Sequence, residues 1–460
     1  MKPLPPIAII GAGWAGLACA VQLAQRGHSV QVFEAARTPG GRARTVQLHL
    51  PDGNPVDVDN GQHILIGAYR DSLALMQQVG VDVQQALLRT AMDLRTPDGH
   101  GLCLPHWPRP WNALPQQAHV LAGLLGCRGW TLGDKLALLR ASLRWQWMGF
   151  TCPPTQTVAE LCCDLPAAVQ SSLIEPLCVS ALNTPMVQAS ASVFLRVLQD
   201  ALFGGRGGAD LLLPRVPLGQ LLAEPACHWL QTQGHHVYLG QRIGSLRMAD
   251  GDAGWQLLQP SGQPIAPPDG HDYWPHVALA TSAANSAAML AACAQAATKT
   301  IANTLHAWQQ QAAALQYLPI ATVYTWSAHS HLPRPMVALP ALQAVPTDSA
   351  GTVPAQFVFD RGQLGGPAGL LAWVVSACGP DAAATEALVL QQASTLLGHQ
   401  PQVLQTIVEK RATFACTPAL KRPSSRIAPG LWAVGDYVEG PYPATLEGAV
   451  RCGFELANSL

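Results

Sequence analysis

The first forty residues alternate between short apolar runs and polar turns in a pattern typical of an α/β unit. Residues 7 to 10 are four consecutive apolar residues, which is typical of a strand buried on both faces of a parallel sheet. A helix is predicted from about residue 13 to 26, because the glycine at position 27 is a common helix terminator. Residues 30 to 33 predict a second strand. Together these elements predict the start of a Rossmann-type, doubly wound sheet.

The turn between the first strand and the helix carries the pattern G-x-G-x-x-G. Gly11 permits the sharp turn, Gly13 lets a pyrophosphate approach bare backbone, and Gly16 lets the helix pack close to the sheet. Glu34 ends the second strand, at the usual position for the acid that binds a ribose hydroxyl. The pattern predicts a dinucleotide site with these binding candidates: Gly11, Ala12, Gly13, Ala15, Gly16 and Glu34.

A glycine pair and an arginine, Gly40-Gly41-Arg42, follow where a simple nicotinamide domain would begin its next helix. The run resembles the second signature of the amine-oxidase-like FAD enzymes. That resemblance implies that the glycines let backbone contact the cofactor and that the arginine lies beside its phosphates. Taken alone, the three residues are equally well explained by a surface turn. Because they follow the first signature along the chain, they favour FAD as the dinucleotide.

The C-terminal region predicts the other part of the same site. A strand ending at Gly435-Asp436 brings a carboxylate to the ribityl and phosphate region of FAD. A helix beginning near Thr445 directs N–H groups at the pyrimidine edge of the flavin, which favours the reduced anionic form. Leu446 and Gly448 are further candidates there. No cysteine lies in the turn before this helix, so non-covalent FAD is expected.

Because the two signatures lie at opposite ends of the chain, the nucleotide domain is predicted to be discontinuous. Residues 1–70, 214–290 and 405–460 are assigned to the FAD-binding domain, and residues 71–213 and 291–404 to an inserted α+β substrate domain. The fold class is therefore α/β, a glutathione-reductase-like two-domain flavoprotein. Ile243 follows a predicted strand, at the position where the FAD enzymes make a backbone contact to the adenine.

Composition narrows the class of protein further. Only 12% of the 460 residues are charged and the mean hydropathy is +0.16. The net charge of -1 offers no electrostatic footprint for nucleic acid. The twelve cysteines have no zinc spacing, so reduced thiols in a cytoplasmic protein are expected and no metal site is predicted. No apolar run is long enough for a spanning helix.

One segment suggests contact with a membrane surface. Thr131 and Asp134 resemble a capping box that opens a helix near residues 131–148. An apolar stripe is predicted along it, at Leu132, Leu136, Leu139, Leu143 and Trp147. Lys135, Arg140 and Arg144 lie outside the stripe, a composition that suits the bilayer interface. The alternative is a helix packed on its own domain with solvated arginines.

A second apolar stretch, residues 56 to 69, passes beside the flavin ring in FAD oxidoreductases of this type. Gly61, Gln62 and His63 are therefore candidates for cofactor contact. His63 also becomes a candidate for the reaction chamber. The equally weighted alternative for His63 is a core histidine bonded to backbone.

Four segments together resemble the hydroxysqualene dehydroxylase family, a squalene-associated branch of the flavin amine oxidase superfamily: residues 59–69, 176–185, 359–361 and 443–453. The resemblance implies reductive removal of the hydroxyl of hydroxysqualene to give squalene, in hopanoid biosynthesis. It also implies a lipophilic isoprenoid substrate and an electron donor that the sequence does not identify. Attachment to the inner face of the cytoplasmic membrane and homo-oligomerisation are left open.

The implied chemistry requires a proton donor near the leaving hydroxyl, a dry apolar slot and support for a cation. His63, Glu447 and Tyr442 are the candidate polar groups, in that order. For Glu447, a charge pair at a helix N terminus is the favoured alternative. Carotenoid (phytoene-type) desaturation and amine oxidation are the competing reactions. The five lysines lie outside apolar segments suited to the flavin face, which counts against amine oxidation.

Overall fold

The computed structural model describes residues 4–108, 110–111, 114–249, 254–294, 299–340 and 354–460. The strands are β1 Ile7–Ile10, β2 Val30–Glu34, β3 Thr45–His49, β4 Pro55–Asp59, β5 Leu65–Ile66, β6 Leu87–Thr90, β7 Leu211–Pro214, β8 His236–Leu239, β9 Ser245–Met248, β10 Trp255–Leu258, β11 Pro264–Ile265, β12 His276–Leu279, β13 Tyr317–Trp326, β14 Met336–Ala338, β15 Phe357–Asp360, β16 Leu370–Ser376, β17 Gln402–Phe414, β18 Arg426–Ala428 and β19 Leu431–Ala433.

The α-helices are α1 Trp14–Gln25, α2 Arg70–Gln78, α3 Val83–Ala86, α4 Gln116–Gly126, α5 Leu132–Trp147, α6 Val158–Leu161, α7 Ala167–Val169, α8 Glu175–Leu182, α9 Ala191–Leu198, α10 Glu224–Thr232, α11 Ala283–Ala294, α12 Lys299–Ala313, α13 Ala382–Leu397 and α14 Leu446–Ser459. Single π-helical turns adjoin four of these helices. Gln170–Ile174 connects α7 to α8, Gln199–Phe203 follows α9, and Gly219–Ala223 precedes α10.

A six-stranded sheet forms the centre of the nucleotide-binding part of the molecule. Its order is β18-β19-β12-β1-β2-β8, and all neighbours are parallel except β18 and β19. The strand order reverses on either side of β1, and ligands of such sheets bind in the crevice at the carboxyl ends there. The predicted α/β fold with a parallel Rossmann-type sheet is therefore confirmed.

Helices α1 and α14 pack against each other beside this sheet, which brings the two ends of the chain together. A Cβ placed on Gly453 would lie 2.6 Å from the Ala15 carbonyl oxygen and 2.8 Å from the Cys19 nitrogen. Only a residue without a side chain permits so close an approach of the two backbones. The turns that precede the two helices consequently lie at the same edge of the sheet.

A five-stranded antiparallel sheet, with the order β14-β15-β16-β13-β17, forms a second layer. One of its faces packs on a core that includes Tyr324 and Phe359, and the other on α13 through a core that includes Trp373 and Val389. β17 pairs with β13 as far as Phe414, so the chain leaves this sheet beyond the predicted boundary at 404/405. β17 is a half-exposed edge strand, and its polar residues obscure the alternation that identifies a buried strand.

A small sheet, β5-β7-β6, joins segments from both sides of the predicted boundaries at residues 70 and 213. Leu65 pairs with Leu212, and Leu88 pairs with Leu213.

In the described part of the chain, no helix is long and apolar enough to cross a bilayer.

Candidate active site

The β1–α1 turn has the geometry of a phosphate-binding loop. Gly11 has φ +116°, and a Cβ there would lie 2.5 Å from the Ala280 carbonyl oxygen. A Cβ on Gly16 would lie 2.1 Å from the Gly11 carbonyl oxygen. Gly13 differs, because a Cβ there would meet no heavy atom of the described residues within 4 Å beyond its own chain neighbours. The loop thus closes tightly around Gly11 and Gly16 and leaves open space over Gly13.

Glu34 is anchored beside that loop at the end of β2. One carboxylate oxygen accepts a hydrogen bond from the Ala12 backbone N–H at 2.8 Å, and the other accepts one from the Ala36 N–H at 2.8 Å. The chain after β8 passes close by, because the Gln241 N–H donates to the Glu34 carbonyl at 2.8 Å. Ile243, two residues on, is buried. The predicted ribose and adenine candidates therefore occupy one edge of the sheet.

The second glycine pair lies directly against the first signature. The Gly40 N–H donates to the Ala12 carbonyl at 2.8 Å, and Gly13 and Gly40 form a parallel bridge. Gly41 has φ +62°, and a Cβ on it would lie 3.6 Å from the Gly13 Cα. Gly40 and Gly41 both have positive φ, a backbone conformation that favours glycine. The two signatures form one continuous backbone surface.

Arg42 connects this surface to the C-terminal signature. Its guanidinium donates to the Ala412 carbonyl at 2.7 Å and to the Asp436 carboxylate. Asp436 is 7% exposed, so its charge is compensated mainly by Arg42. Gly435 precedes it, and a Cβ there would lie 2.7 Å from the Tyr437 ring. The contact between Arg42 and Asp436 joins segments almost four hundred residues apart.

Helix α14 begins next to Asp436. The Ala444 N–H donates to the Asp436 carbonyl at 3.2 Å, and the Thr445 hydroxyl caps the helix by accepting the Gly448 N–H at 2.9 Å. A Cβ on Gly448 would lie 1.8 Å from the Tyr442 carbonyl oxygen, so the turn closes on the glycine. Leu446 is the first helical residue. The positive end of this helix dipole therefore lies beside the Gly435-Asp436 turn.

These features fit a dinucleotide such as FAD. The open space over Gly13 leaves room for a pyrophosphate. Helix α1 begins without a side-chain cap, so its first N–H groups are available to an anion. Glu34 lies at the adjoining strand end, and the α14 N terminus provides a second positive dipole end for the flavin. When bound, the cofactor supplies the capacity to accept or donate a hydride.

The segment after β4 carries His63. Its Nδ1–H donates to the Gly61 carbonyl at 2.6 Å, which leaves Nε2 as the group free to take or give a proton. Burial lowers the pKa of His63 below its ordinary value, and the positive charge of Arg42 lowers it further. The hydrogen bond to Gly61 raises this pKa but does not cancel the decrease. His63 is therefore mostly neutral near pH 7. Both the chamber role and the core role remain predictions.

A buried polar cluster holds the His63 segment in place. Arg361, 4% exposed, donates through one nitrogen to the Gln62 side-chain oxygen at 3.3 Å and to the Pro214 carbonyl at 3.2 Å. Asp59 accepts the Leu218 N–H at 2.8 Å, while its other oxygen has no partner among the described residues. Burial raises the pKa of Asp59 to about 6, although the Leu218 hydrogen bond and the Arg361 charge oppose the shift.

Neither Asp59 nor Arg361 is predicted from the sequence to have a role in the site. One signal for Arg361 was available in the sequence: it directly follows the apolar strand β15 and precedes Gly362. A charged residue at such a position needs a polar partner if it is buried. The partner lies almost three hundred residues away, which no local pattern reveals.

Glu447 makes contacts that favour its structural alternative over the role of proton donor. The side chain is 1% exposed and accepts from the Asp71 N–H at 3.1 Å, the Ser72 N–H at 3.0 Å and the Ser72 hydroxyl at 2.7 Å. Arg451 donates to it at 2.9 Å. A carboxylate bonded to the first turn of α2 stabilises that helix, and a group with four donors is well placed for a structural role. The role of Glu447 as a proton donor stays a prediction.

Tyr442 lies in a different cluster from His63. Its hydroxyl accepts from Arg196 at 2.9 Å, and its ring lies 5.0 Å from the Arg196 guanidinium carbon and 4.3 Å from that of Arg451. Burial raises the pKa of Tyr442. Contacts among the described residues thus link Tyr442 with Glu447 through Arg451, whereas His63 belongs to the Gln62–Arg361 cluster.

A parallel sheet with two phosphate-type signatures and a helix N terminus converging at one edge defines a flavin-dependent oxidoreductase. The chain matches the family described as flavin containing amine oxidoreductase over residues 14–460. It belongs to that family, and the prediction of a flavoprotein enzyme is confirmed.

Individual relatives indicate finer similarities. The chain is 26% identical over 469 residues to the hydroxysqualene dehydroxylase of Rhodopseudomonas palustris, covering 98% of this chain and 97% of the relative. It is 38% identical to the zeta-carotene desaturase of Synechocystis over 74 residues, which is 16% of this chain and 14% of that one. A crystal structure of an oxidoreductase from Methanosarcina mazei matches with TM-score 0.70 at 14% identity, over 98% of this chain and 100% of that one. That likeness shows the fold.

Proposed function

We propose that this protein is an FAD-dependent hydroxysqualene dehydroxylase, which reductively removes an allylic hydroxyl to give squalene. The similarity to the Rhodopseudomonas palustris enzyme over almost the full length of both chains is the observation that carries the proposal. FAD is proposed to bind without a covalent bond, because residues 440–445 contain no cysteine, and the nearby Cys452 is buried with its sulfur accepting the Gly435 N–H.

In the proposed reaction the C–O bond breaks and the hydroxyl leaves as water after taking a proton. The reduced cofactor, when bound, would supply the hydride for the new C–H bond. The chain must then supply three things: a proton donor, a dry apolar slot and stabilisation of the allylic cation. His63 is the preferred donor, since its Nε2 is left free by the Nδ1 hydrogen bond. The lowered pKa makes protonated His63 a stronger acid than an ordinary histidine, and it makes that form the minor one near pH 7. Glu447 and Tyr442 stay the second and third candidates. An external donor that restores reduced flavin is also required.

Amine oxidation receives less support from the lysines. In amine oxidases of this superfamily a lysine usually approaches the flavin through a water. Lys299, Lys410 and Lys421 are exposed, and the Lys135 ammonium donates to the Leu125 carbonyl at 2.7 Å. Lys2 lies outside the described residues. Carotenoid desaturation is the competing proposal, favoured by the short match to zeta-carotene desaturase; it would transfer hydride to the flavin instead.

Anaerobic turnover distinguishes these reactions. Dithionite-reduced enzyme is incubated with hydroxysqualene, and oxidised enzyme with phytoene, and products are identified by mass. Formation of squalene in the first arm supports the proposal. Desaturated phytoene with no squalene would support the competing proposal, and peroxide release with amines would support amine oxidation. Acid precipitation tests the cofactor: FAD in the supernatant supports non-covalent binding, and flavin retained in the pellet contradicts it.

A further inference from the structure

The exposed apolar side chains of this protein are concentrated in one region. Of eleven exposed large apolar residues in the described part of the chain, eight lie between residues 111 and 147. They are Trp111, Leu114, Leu121, Leu125, Leu132, Leu136, Leu143 and Trp147. Isolated exposed apolar residues need no explanation, but such a concentration marks an interaction surface.

Helix α5 presents its stripe directly away from the protein. At about 100° per residue, the exposed Leu132, Leu136, Leu143 and Trp147 fall within an arc of about 60°. The buried residues of the same helix, Leu138, Ala141 and Trp145, centre about 180° from that arc. Leu139, predicted to share the stripe, instead packs partly against the core. The helix therefore has two apolar faces: one holds it on the body and the other has no partner in the described structure.

Basic residues flank the outward stripe on both sides. Lys135 lies about 90° to one side of its centre, and Arg140 and Arg144 lie about 50° and 90° to the other. Arg144 is already paired, because its guanidinium donates to the Asp164 carboxylate at 3.0 Å and to the Leu161 carbonyl at 3.3 Å. Between residues 114 and 148 there are four basic residues and one acidic residue. The acidic residue, Asp134, is turned towards the body and is used in the helix cap. This segment is thus positive in a chain whose net charge is -1.

Helix α4 extends the surface beyond α5. Its exposed Leu121 and Leu125 lie on successive helical turns of α4, before the loop that leads to α5. The Lys135 ammonium of α5 donates to the Leu125 carbonyl at 2.7 Å. That contact holds the end of α4 against the start of α5. Trp147, at the far end of α5, is 89% exposed, and indole rings prefer the headgroup level of a bilayer.

We infer that α4 and α5 form a docking surface for an anionic lipid bilayer, with the stripe of α5 inserted among the acyl chains and Lys135 and Arg140 at the phosphates. Apolar insertion plus attraction to anionic headgroups is how interfacial helices bind. A second copy of the chain fits less well, because a two-fold contact through the stripe would place the flanking cations of one copy beside those of the other. The inference does not depend on which flavin reaction the enzyme catalyses.

Vesicle co-sedimentation of the purified holoprotein, without substrate, tests this inference. Wild-type protein is expected to sediment with vesicles of equal parts phosphatidylglycerol and phosphatidylcholine, and more weakly with phosphatidylcholine alone. The variant Leu136→Ser/Leu143→Ser/Trp147→Ser is expected to lose at least about tenfold in partitioning. The control Leu4→Ser/Val187→Ser/Leu239→Ser removes three exposed apolar residues elsewhere and is expected to bind as the wild type does. Equal flavin absorbance and urea midpoints establish that the variants are folded.

Failure of the wild type to bind either vesicle would overturn the inference, as would equal binding by the stripe variant or equal loss in the control. Sedimentation velocity without lipid examines the alternative occupant. A wild-type dimer that the stripe substitutions convert to a monomer would show that the surface is a contact between copies, and would also overturn the lipid proposal.

Discussion

The glycines of the β1–α1 turn should separate cofactor binding from folding. Gly13 has φ -79° and ψ 175°, a conformation open to any residue, and open space where a Cβ would project. Gly13→Ala should therefore leave the cofactor-free protein as stable as before or about 0.4–1 kcal/mol more stable, through the unfolded state. The added methyl would occupy the proposed pyrophosphate position. We expect FAD affinity to fall at least tenfold, about 1.4 kcal/mol.

Gly16→Ala should have the opposite effect. Its methyl would lie 2.1 Å from the Gly11 carbonyl oxygen and 2.8 Å from the Ala280 Cβ. Overpacking of this kind costs about 1–3 kcal/mol, against a gain of about 1 kcal/mol in helix propensity. The net expectation is a less stable cofactor-free protein. Gly27→Ala is the control. Gly27 has φ +88°, and a Cβ there would have no other described atom within 4 Å. The variant should lose about 1 kcal/mol of stability through backbone conformation alone and bind FAD normally.

Urea unfolding of the three cofactor-free variants and FAD titration by flavin fluorescence give both quantities. FAD binding by Gly13→Ala as tight as that of the wild type would refute the prediction, because the space over Gly13 would then not hold the phosphates. An equal loss of stability in Gly13→Ala and Gly16→Ala would refute it as well.

Two further predictions concern candidate proton donors. If protonated His63 is the acid, single-turnover dehydroxylation by reduced enzyme should be fastest below its lowered pKa and fall as pH rises through that value; His63→Gln should remove this limb, and an unchanged profile would exclude His63. Glu447→Gln should lower the free energy of unfolding by about 2 kcal/mol, because a buried charged acceptor of four hydrogen bonds is lost, while turnover per bound flavin is retained. Loss of turnover at wild-type stability would instead support Glu447 as a catalytic group.

Local pattern was sufficient for the nucleotide elements. The predicted strand at 7 to 10, the helix after Gly11 and the strand ending at Glu34 are confirmed almost residue for residue, as is the capping box of α5. Each depends on neighbours close in sequence: a glycine that ends a helix, or a hydroxyl that caps the next turn. Short-range chemistry of this kind is visible without a structure.

Long-range pairing was not predictable in the same way. Residues 402 to 414 carry polar residues on an edge strand, and their place beside β13 is decided by backbone hydrogen bonds that any side chain permits. The Arg361–Gln62 contact and the capping of α2 by Glu447 likewise depend on where distant segments meet. The sequence made Gln62 and Glu447 candidates and gave Arg361 no role, and it identified the partner of none of them.

The six-stranded sheet has a consequence for synthesis of the protein. Its strands come from residues 7–34, 236–279 and 426–433, so β12 has no partner on its second side until β19 has left the ribosome. The contact of Arg42 with Asp436 must form later still. A nascent chain therefore completes its cofactor pocket only after residues 431–436 have left the ribosome, and until then the apolar edge of β12 is open to pairing with other strands.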